Sequence, residues 1–194
     1  PEKELRKEIV RPVQTESLLI GYRIPSIYSK DSDELSVLSL ALFSMSSSRA
    51  HVRLVREKQM ALSVRGDTVQ EQFPFLFIVS IEMKKGIRAK VAEEELDLLI
   101  EDLKKTAITQ QELDRVKNRI IFNTINETKS AAGFANWLAS GAYYWDDPNY
   151  VFKLLDLYHR VTPDDLLRIA KKYLRKENRV VVVMKPEPKA YAYQ

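Results

Sequence analysis

The stretch Pro74-Phe-Leu-Phe-Ile-Val-Ser-Ile-Glu-Met83 carries the strongest strand pattern in the chain. Aromatic and β-branched side chains dominate it, which is typical of a central strand that is covered on at least one face. Ala61-Leu-Ser-Val64 has similar character and is followed by Gly66-Asp67. Because only a short turn separates the two runs, the sequence predicts that residues 61–66 and 74–83 are antiparallel neighbours.

Two further strands and several helices are predicted outward from this pair. Residues 15–24 and 178–185 have strand composition and stop at Pro25 and Pro186. Apolar residues at helical spacing predict helices over residues 31–43, 49–59, 89–107, 109 onward with a bend or division near Gly133, 149–159 and 162–175.

Three of the predicted helices begin with capping patterns. Asp31 precedes Glu34, and Thr109 precedes Glu112, at the spacing of a capping box. Thr162-Pro-Asp-Asp165 combines a threonine cap, a proline in the first turn and two acids at the positive end of the helix dipole.

This order of elements predicts an α+β fold of two layers. We expect a mainly antiparallel sheet of about four strands with helices packed on one face. Residues 1–13 are interpreted as a charged linker, residues 14–186 as one domain and residues 187–194 as a loose tail.

The composition excludes several classes of function. The 194 residues include no cysteine, so disulfides, thiolate metal sites and cysteine nucleophiles are excluded. Five glycines form neither a P-loop nor a dinucleotide-binding pattern. The net charge of +4 is small and dispersed, which argues against nucleic acid as a partner. No apolar run approaches the roughly 20 residues that span a bilayer, so no membrane span is predicted.

No residues form a self-contained catalytic or metal site. The chain has two histidines, His51 and His159, and neither belongs to an H-E-x-x-H or H-x-x-E-H pair. Acidic pairs such as Asp146-Asp147 lie at predicted turns or helix starts, where they act in capping. We therefore predict no catalytic residue, no metal ligand and no cofactor in this chain.

Four segments in order resemble the second domain of a pitrilysin-type (M16 family) zinc metallopeptidase half-molecule. Residues 47–64, SSRAHVRLVREKQMALSV, resemble the family pattern S-S-R-L-x-x-x-L-R-E-x-x-G-L-A-Y-S-V. Gln14 to Pro25 is similar to the opening Q-x-x-x-x-x-G-Y-x-x-P strand, and the helix from Leu35 to Phe43 follows it. Val161 to Leu174, with the strand from Val180 to Pro186, is similar to the closing V-T-x-x-D helix and final strand.

The resemblance implies a domain that carries no zinc ligand. In this family the first domain of a half-molecule holds zinc with H-x-x-E-H and a distant glutamate, and two halves close around an unfolded peptide. The implied partners of this chain are an H-x-x-E-H domain, in the same polypeptide or in another subunit, and a peptide substrate. Zinc belongs to that other domain, and this chain alone is expected to be inactive.

The chain departs from the family at two substrate-facing positions. The non-zinc half often directs an arginine and a tyrosine toward the substrate, and these positions hold Val55 and Leu62 here. Arg56 is one residue away, which turns its direction by about 100° on a helix, so it is only a weak candidate for substrate binding. We expect Val55 and Leu62 to lie close together, Leu62 to be a core residue and Arg56 to point to solvent or to a structural carboxylate.

Three functions are compatible with these patterns. The first is a metallopeptidase module from the zinc-bearing half, the second is a scaffold subunit of the same fold, and the third is an unrelated binding module. A zinc motif in sequence preceding Pro1 distinguishes the first from the second. We expect a soluble protein of the bacterial cytoplasm or periplasm.

Zinc analysis tests the predicted lack of a metal site. The purified chain should hold no stoichiometric zinc after dialysis, because a catalytic site needs three protein ligands and the chain offers two scattered histidines and no cysteine. One tightly held zinc per chain that is lost on changing His51 or His159 would contradict this prediction.

Overall fold

The computed structural model describes residues 3–69 and 71–187, which form a five-stranded sheet and a set of helices. The strands are β1 (Leu5–Arg11), β2 (Ser17–Ile24), β3 (Ala61–Val69), β4 (Phe75–Met83) and β5 (Arg179–Pro186). Their spatial order is β1-β5-β2-β4-β3. The β1–β5 pair is parallel and the other three pairs are antiparallel, so the predicted pairing of β3 with β4 is confirmed.

The helices form the rest of the fold. They are α1 (Ser32–Phe43), α2 (Arg49–His51), a π-helical segment (Val52–Glu57), α3 (Ala89–Lys105), α4 (Gln110–Thr128), α5 (Ala131–Trp145), α6 (Tyr150–Arg160), α7 (Pro163–Tyr173) and a short 3₁₀ turn (Lys176–Asn178). Helices α1, α3 and α7 contact the sheet, α4 and α6 contact α1, and α5 contacts α4 and α6.

Side chains alternate between a buried and an open face along the central strands. Leu18 and Ile20 of β2 are buried against the helices, whereas Leu19 between them is 44% exposed. Val181 and Val183 of β5 alternate in the same way with half-buried neighbours. This period of two is expected for a sheet with one covered face, and the predicted α+β class is confirmed.

The charged segment at the start of the chain is not an irregular linker. Residues 5–11 form β1, which pairs with β5 from Leu5 opposite Val180 to Arg11 opposite Pro186. The expectation of an irregular conformation was wrong for residues 5–11, since charged side chains are common on an exposed edge strand, and the linker role of residues 1–13 stays a prediction. The domain limits 14–186 stay a prediction, and residues 188–194 of the predicted tail lie outside the described residues.

The capping box predicted at Asp31 and Glu34 is also absent. The Asp31 carboxylate makes no cap hydrogen bond and accepts instead from Arg168 Nη1, Lys172 Nζ and Tyr173 Oη at 2.6–2.8 Å. Burial opposes the charged form of Asp31, but these donors outweigh it and lower the pKa of the carboxyl below its usual range. Asp31 therefore ties α1 to α7.

The other two predicted caps are confirmed. Thr109 with Glu112, and Thr162 with Asp165, form reciprocal capping boxes at the starts of α4 and α7. The predicted division near Gly133 is also present. A Cβ at Gly133 would lie 1.9 Å from the Glu127 carbonyl oxygen, so the turn between α4 and α5 requires glycine there.

Arg179 is a fully buried cation at the start of β5, with 2% of its surface exposed. It donates to Glu4 Oε2 at 2.6 Å, to Glu93 Oε1 at 2.9 Å and to both carboxylate oxygens of Asp97. Arg6 of β1 also donates to Glu93. Because Arg6 of β1 and Arg179 of β5 both bind acids of α3, this network joins the two strands to that helix. Each buried charge in it has an oppositely charged partner, as buried charges require.

Asp33 lies in the first turn of α1, where burial disfavours the charged form of its carboxyl. Its carboxylate makes no ion pair or hydrogen bond within the described residues, and burial, with repulsion from Glu34, raises its pKa to about 6. A carboxyl whose folded pKa is raised destabilises the fold increasingly as pH rises from about 4 to 6, and fully above that range. Asp33→Asn should therefore raise the Tm at pH 8 and not at pH 3.5. Because solvent screens part of the charge, we expect the free energy of unfolding to rise by about 1 kcal/mol at pH 8, which corresponds to ~2–4 °C in Tm.

Asp156→Asn is the matched control for the loss of a surface carboxylate, since Asp156 lies exposed on the neighbouring helix α6. Thermal unfolding followed by circular dichroism at both pH values gives the comparison. An equal change in Tm at pH 3.5 and pH 8 for Asp33→Asn would show that charge at Asp33 does not act on stability.

Candidate functional site: a groove beside the edge strand

The connection from α2 to β3 departs from regular helix geometry. Over Val52–Glu57 the helix is a π-helix, and the Lys58 N–H donates to the Arg53 carbonyl at 2.9 Å in an i→i+5 bond. Such segments are rare and occur frequently at functional sites. The sequence predicts an ordinary helix here, because no residue pattern distinguishes a π-helical turn.

Gln59 ends this segment in a left-handed conformation. Its φ is 50°, a value that glycine adopts without strain and that costs other residues roughly 1–2 kcal/mol. Gln59 occupies the position at which the family pattern has glycine. A left-handed φ at the position of the pattern's glycine is consistent with the alignment that places Val55 and Leu62 at the arginine and tyrosine positions, and that alignment stays a prediction.

Leu62 is the extra residue of a β-bulge. Ala61 pairs with Met83 and Ser63 pairs with Glu82, so Leu62 has no partner on β4. A bulge turns its side chains out of the normal alternation, and Leu62 is 58% exposed. The expectation that Leu62 is a core residue was therefore wrong, whereas Val55 is half-buried and packs against the core.

A groove of about 720 Å³ lies beside β3. Its walls are the end of α1, the following loop, His51 and the strand itself. Its lining residues are Phe43, Ser44, Met45, Ser46, His51, Leu62, Ser63, Val64, Arg65, Gly66, Asp67 and Ser80. His51 Nδ1 is buried there with no hydrogen-bond partner among the described residues, so the groove contains an unused polar atom.

β3 is an edge strand with one free side. It ends the sheet order, with β4 as its neighbour, and Ser44 Oγ donates to the Gly66 carbonyl at 3.3 Å. That carbonyl therefore points away from β4. Because the N–H and C=O of one residue share a direction in a strand, and that direction alternates along it, the backbone groups of Val64 and Thr68 also face the free side.

Gly66 fixes how closely α1 approaches this strand. A Cβ at Gly66 would lie 2.4 Å from the Phe43 ring. The ring occupies the space of the missing side chain and makes an edge-to-face contact with Phe77 of β4, with ring centroids 5.9 Å apart. The wall of the groove is thus held in place by the core.

Arg56 does not line this groove. It is exposed, and its side chain makes no ion pair or hydrogen bond within residues 3–69 and 71–187. Its role in substrate binding stays a prediction, as does the closeness of Val55 and Leu62. Sequence reasoning missed Ser44, Arg65 and Asp67 as groove residues. Their only signal is their position, since Ser44 follows the predicted helix of residues 31–43, and Arg65 and Asp67 lie at the end of the predicted strand.

In the part of the chain that the structure describes, no group of three or more histidine, cysteine or acidic residues is arranged to hold a metal ion. No helix within the same residues is long and apolar enough to cross a membrane.

Comparison with known sequences decides the family. Residues 1–120 match the sequence model of the peptidase M16 inactive domain. The chain belongs to this family. The match covers the π-helical segment, the bulge and the groove, so these features lie within the M16 inactive domain proper.

Individual relatives agree with this assignment. The chain is 29% identical over 177 residues to the zinc protease PqqE of Helicobacter pylori, a match that covers 90% of this chain and 39% of the relative. The structure of a protease from Helicobacter pylori superposes with a TM-score of 0.89 at 26% identity, over 95% of this chain and 45% of that one.

A peptidase M16 inactive domain from Pseudomonas fluorescens has the same fold. It superposes with a TM-score of 0.83 at 16% identity, over 97% of this chain and 44% of that chain. The chain thus spans about two fifths of the length of the curated relative it matches, and less than half of these two solved chains.

The conformation of Gln59 gives a test of the family geometry. Gln59→Gly should raise the free energy of unfolding by about 1 kcal/mol, because glycine relieves the left-handed strain. Gln111→Gly, at an exposed position in the first turn of α4, should not raise it, since glycine disfavours a regular helix. Urea unfolding of both variants gives the two values. A loss of stability in Gln59→Gly would contradict the left-handed assignment.

Proposed function

We propose that this chain is the non-catalytic domain of an M16 zinc metallopeptidase and that it helps to enclose an unfolded peptide by pairing it with the free edge of β3. The observation that carries this proposal is the open edge of β3 beside a groove of about 720 Å³. An extended peptide satisfies unpaired backbone groups along a strand edge, and the adjacent groove receives its side chains.

The backbone of β3 offers more than one hydrogen bond to such a peptide. Val64 and Thr68 direct their N–H and C=O groups to the free side, and Gly66 lies between them with a carbonyl that Ser44 already contacts. A folded ligand cannot present a matching row of backbone groups without its own strand edge. This geometry favours an unfolded or extended substrate.

The groove supplies contacts for side chains of mixed chemistry. Leu62 offers an exposed apolar surface at the bulge, and His51 Nδ1 offers a polar atom without a partner among the described residues. Arg65 and Asp67, which alternate with Gly66 on β3, bring one charge of each sign. Such a lining tolerates varied peptide sequences, since no single chemistry dominates it.

Catalysis is assigned to a separate domain. Zinc, the H-x-x-E-H motif and the water that zinc activates would come from another domain of the same polypeptide or of a partner subunit. The names of relatives support this assignment, because one is a zinc protease and another is a protease. The role of this chain is then to position peptide and to support assembly, in a bacterial cytoplasm or periplasm.

Peptide binding tests the proposal against a pure scaffold role. A fluorescein-labelled peptide of about 14 residues, with alternating apolar residues and no stable structure, should bind the chain with a change in fluorescence anisotropy. Leu62→Asp should weaken this binding at least fivefold, because it places a charge at the apolar lip of the groove.

Leu98→Asp is the matched control, since Leu98 on α3 is 53% exposed, similar to Leu62, and lies away from β3. It should leave the affinity unchanged. If the chain binds no peptide at about 100 μM, or if both variants weaken binding equally, the edge of β3 is not the binding site and the scaffold function is favoured.

A further inference from the structure

The hydroxyl of Ser44 occupies a backbone position on the free edge of β3. Ser44 follows α1 as its C-cap, and its N–H donates to the Leu40 carbonyl at 3.3 Å. Its Oγ donates to the Gly66 carbonyl, also at 3.3 Å. This contact joins the loop after α1 to an edge strand whose neighbour in the sheet, β4, lies on the opposite side.

Gly66 is the central member of a row of outward backbone groups. The regular ladder with β4 runs from Ser63 to Val69, and the groups on its free side belong to Val64, Gly66 and Thr68. Within the described residues, those of Val64 and Thr68 have no hydrogen-bond partner on that side. An extended peptide on this edge forms hydrogen bonds at every second residue of β3, so it would meet these three residues in turn.

We propose that Ser44 stands in for the central hydrogen bond of a bound peptide and so limits pairing with β3 until its hydroxyl turns away. This role rests on the proposed function, in which an extended peptide pairs with β3, and it names the residue that regulates the pairing. A peptide N–H that pairs with the Gly66 carbonyl approaches to about 2.9 Å, on the side where the Ser44 hydroxyl lies. The peptide and the hydroxyl therefore compete for one acceptor.

The geometry of this contact allows a peptide to displace the hydroxyl. Its length of 3.3 Å exceeds the usual length of an O–H···O hydrogen bond, about 2.7–2.8 Å. Ser44 is exposed, so a hydroxyl that leaves the carbonyl bonds to water and loses little. Release needs only a rotation of the side chain, which is fast in exposed residues, while the backbone of Ser44 stays in place at the end of α1.

The same contact protects the edge of β3 when no peptide is bound. A free strand edge can pair with another protein molecule, and natural edge strands carry features that prevent such pairing. The bulge at Leu62 interrupts the start of β3, and Ser44 covers an acceptor near its centre. Phe43 packs against Gly66 in the space of the absent side chain, so the adjacent Ser44 hydroxyl is held within reach of the strand.

Peptide binding to Ser44 variants tests this role, with fluorescence anisotropy of the labelled peptide of about 14 residues. Ser44→Ala should bind it about threefold more tightly than the wild type, because the Gly66 carbonyl is then free to pair. Ser44→Thr, which restores the hydroxyl, should return the affinity toward the wild-type value. Ser47→Ala is the matched control, since Ser47 is an exposed serine of the same loop that does not line the groove, and it should bind like the wild type.

Amide hydrogen exchange followed by NMR gives a second readout at the strand itself. In the wild type, the peptide should slow exchange of the Val64 and Thr68 N–H groups. In Ser44→Ala, the peptide should slow exchange of the Gly66 N–H at least threefold more than it does in the wild type, because the strand pair then closes at its centre. Circular dichroism checks that each variant is folded.

The outcomes separate the role of Ser44 from the proposed function. If the wild type binds the peptide but Ser44→Ala binds it equally or more weakly, or if Ser47→Ala tightens binding as much, Ser44 does not compete with the peptide and its role alone is refuted. Equal protection of the Gly66 N–H with and without the hydroxyl refutes it as well. If neither the wild type nor Ser44→Ala binds the peptide, pairing with β3 is refuted and the role of Ser44 with it.

Discussion

The buried charge of Arg179 is the interaction on which the arrangement of the sheet edge and α3 depends. An unpaired buried guanidinium is strongly destabilising, and removing one partner of a buried pair generally costs several kcal/mol. Arg179 therefore has to keep Glu93 and Asp97 of α3 and Glu4 of the N-terminal segment beside it. These acids come from elements distant in sequence, so one cation fixes where β1 and α3 lie relative to β5.

Asp31 plays the complementary part between α1 and α7. It is a buried anion with a guanidinium, an ammonium and a phenol around it. The two networks have opposite central charges and both join segments more than 80 residues apart. Apolar packing alone tolerates small shifts of one helix over another, whereas hydrogen bonds to a buried charge define a single position.

The sequence predicts those parts of the fold that depend on local patterns. The apolar density of residues 74–83 identified β4, and the boxes at Thr109 and Thr162 fixed two helix starts, because caps are formed within four residues. β1 and the partners of Asp31 could not be predicted in this way, since both depend on contacts with residues near the end of the chain. The groove was missed for a related reason. The bulge at Leu62 and the left-handed Gln59 are properties of backbone geometry that an ordinary leucine and glutamine do not indicate.

The pairing of β1 with β5 has a consequence for the order of folding. The partners Leu5 and Val180 are separated by 175 residues, and closing so large a loop makes such contacts slow to form. At typical rates of synthesis, roughly 5–20 residues per second, the first strand waits on the order of 10–35 seconds for its partner to be made. During that interval its charged side chains keep it solvated and discourage pairing with other nascent chains. The acidic and basic residues of β1 thus protect the growing polypeptide before they contribute to the finished sheet.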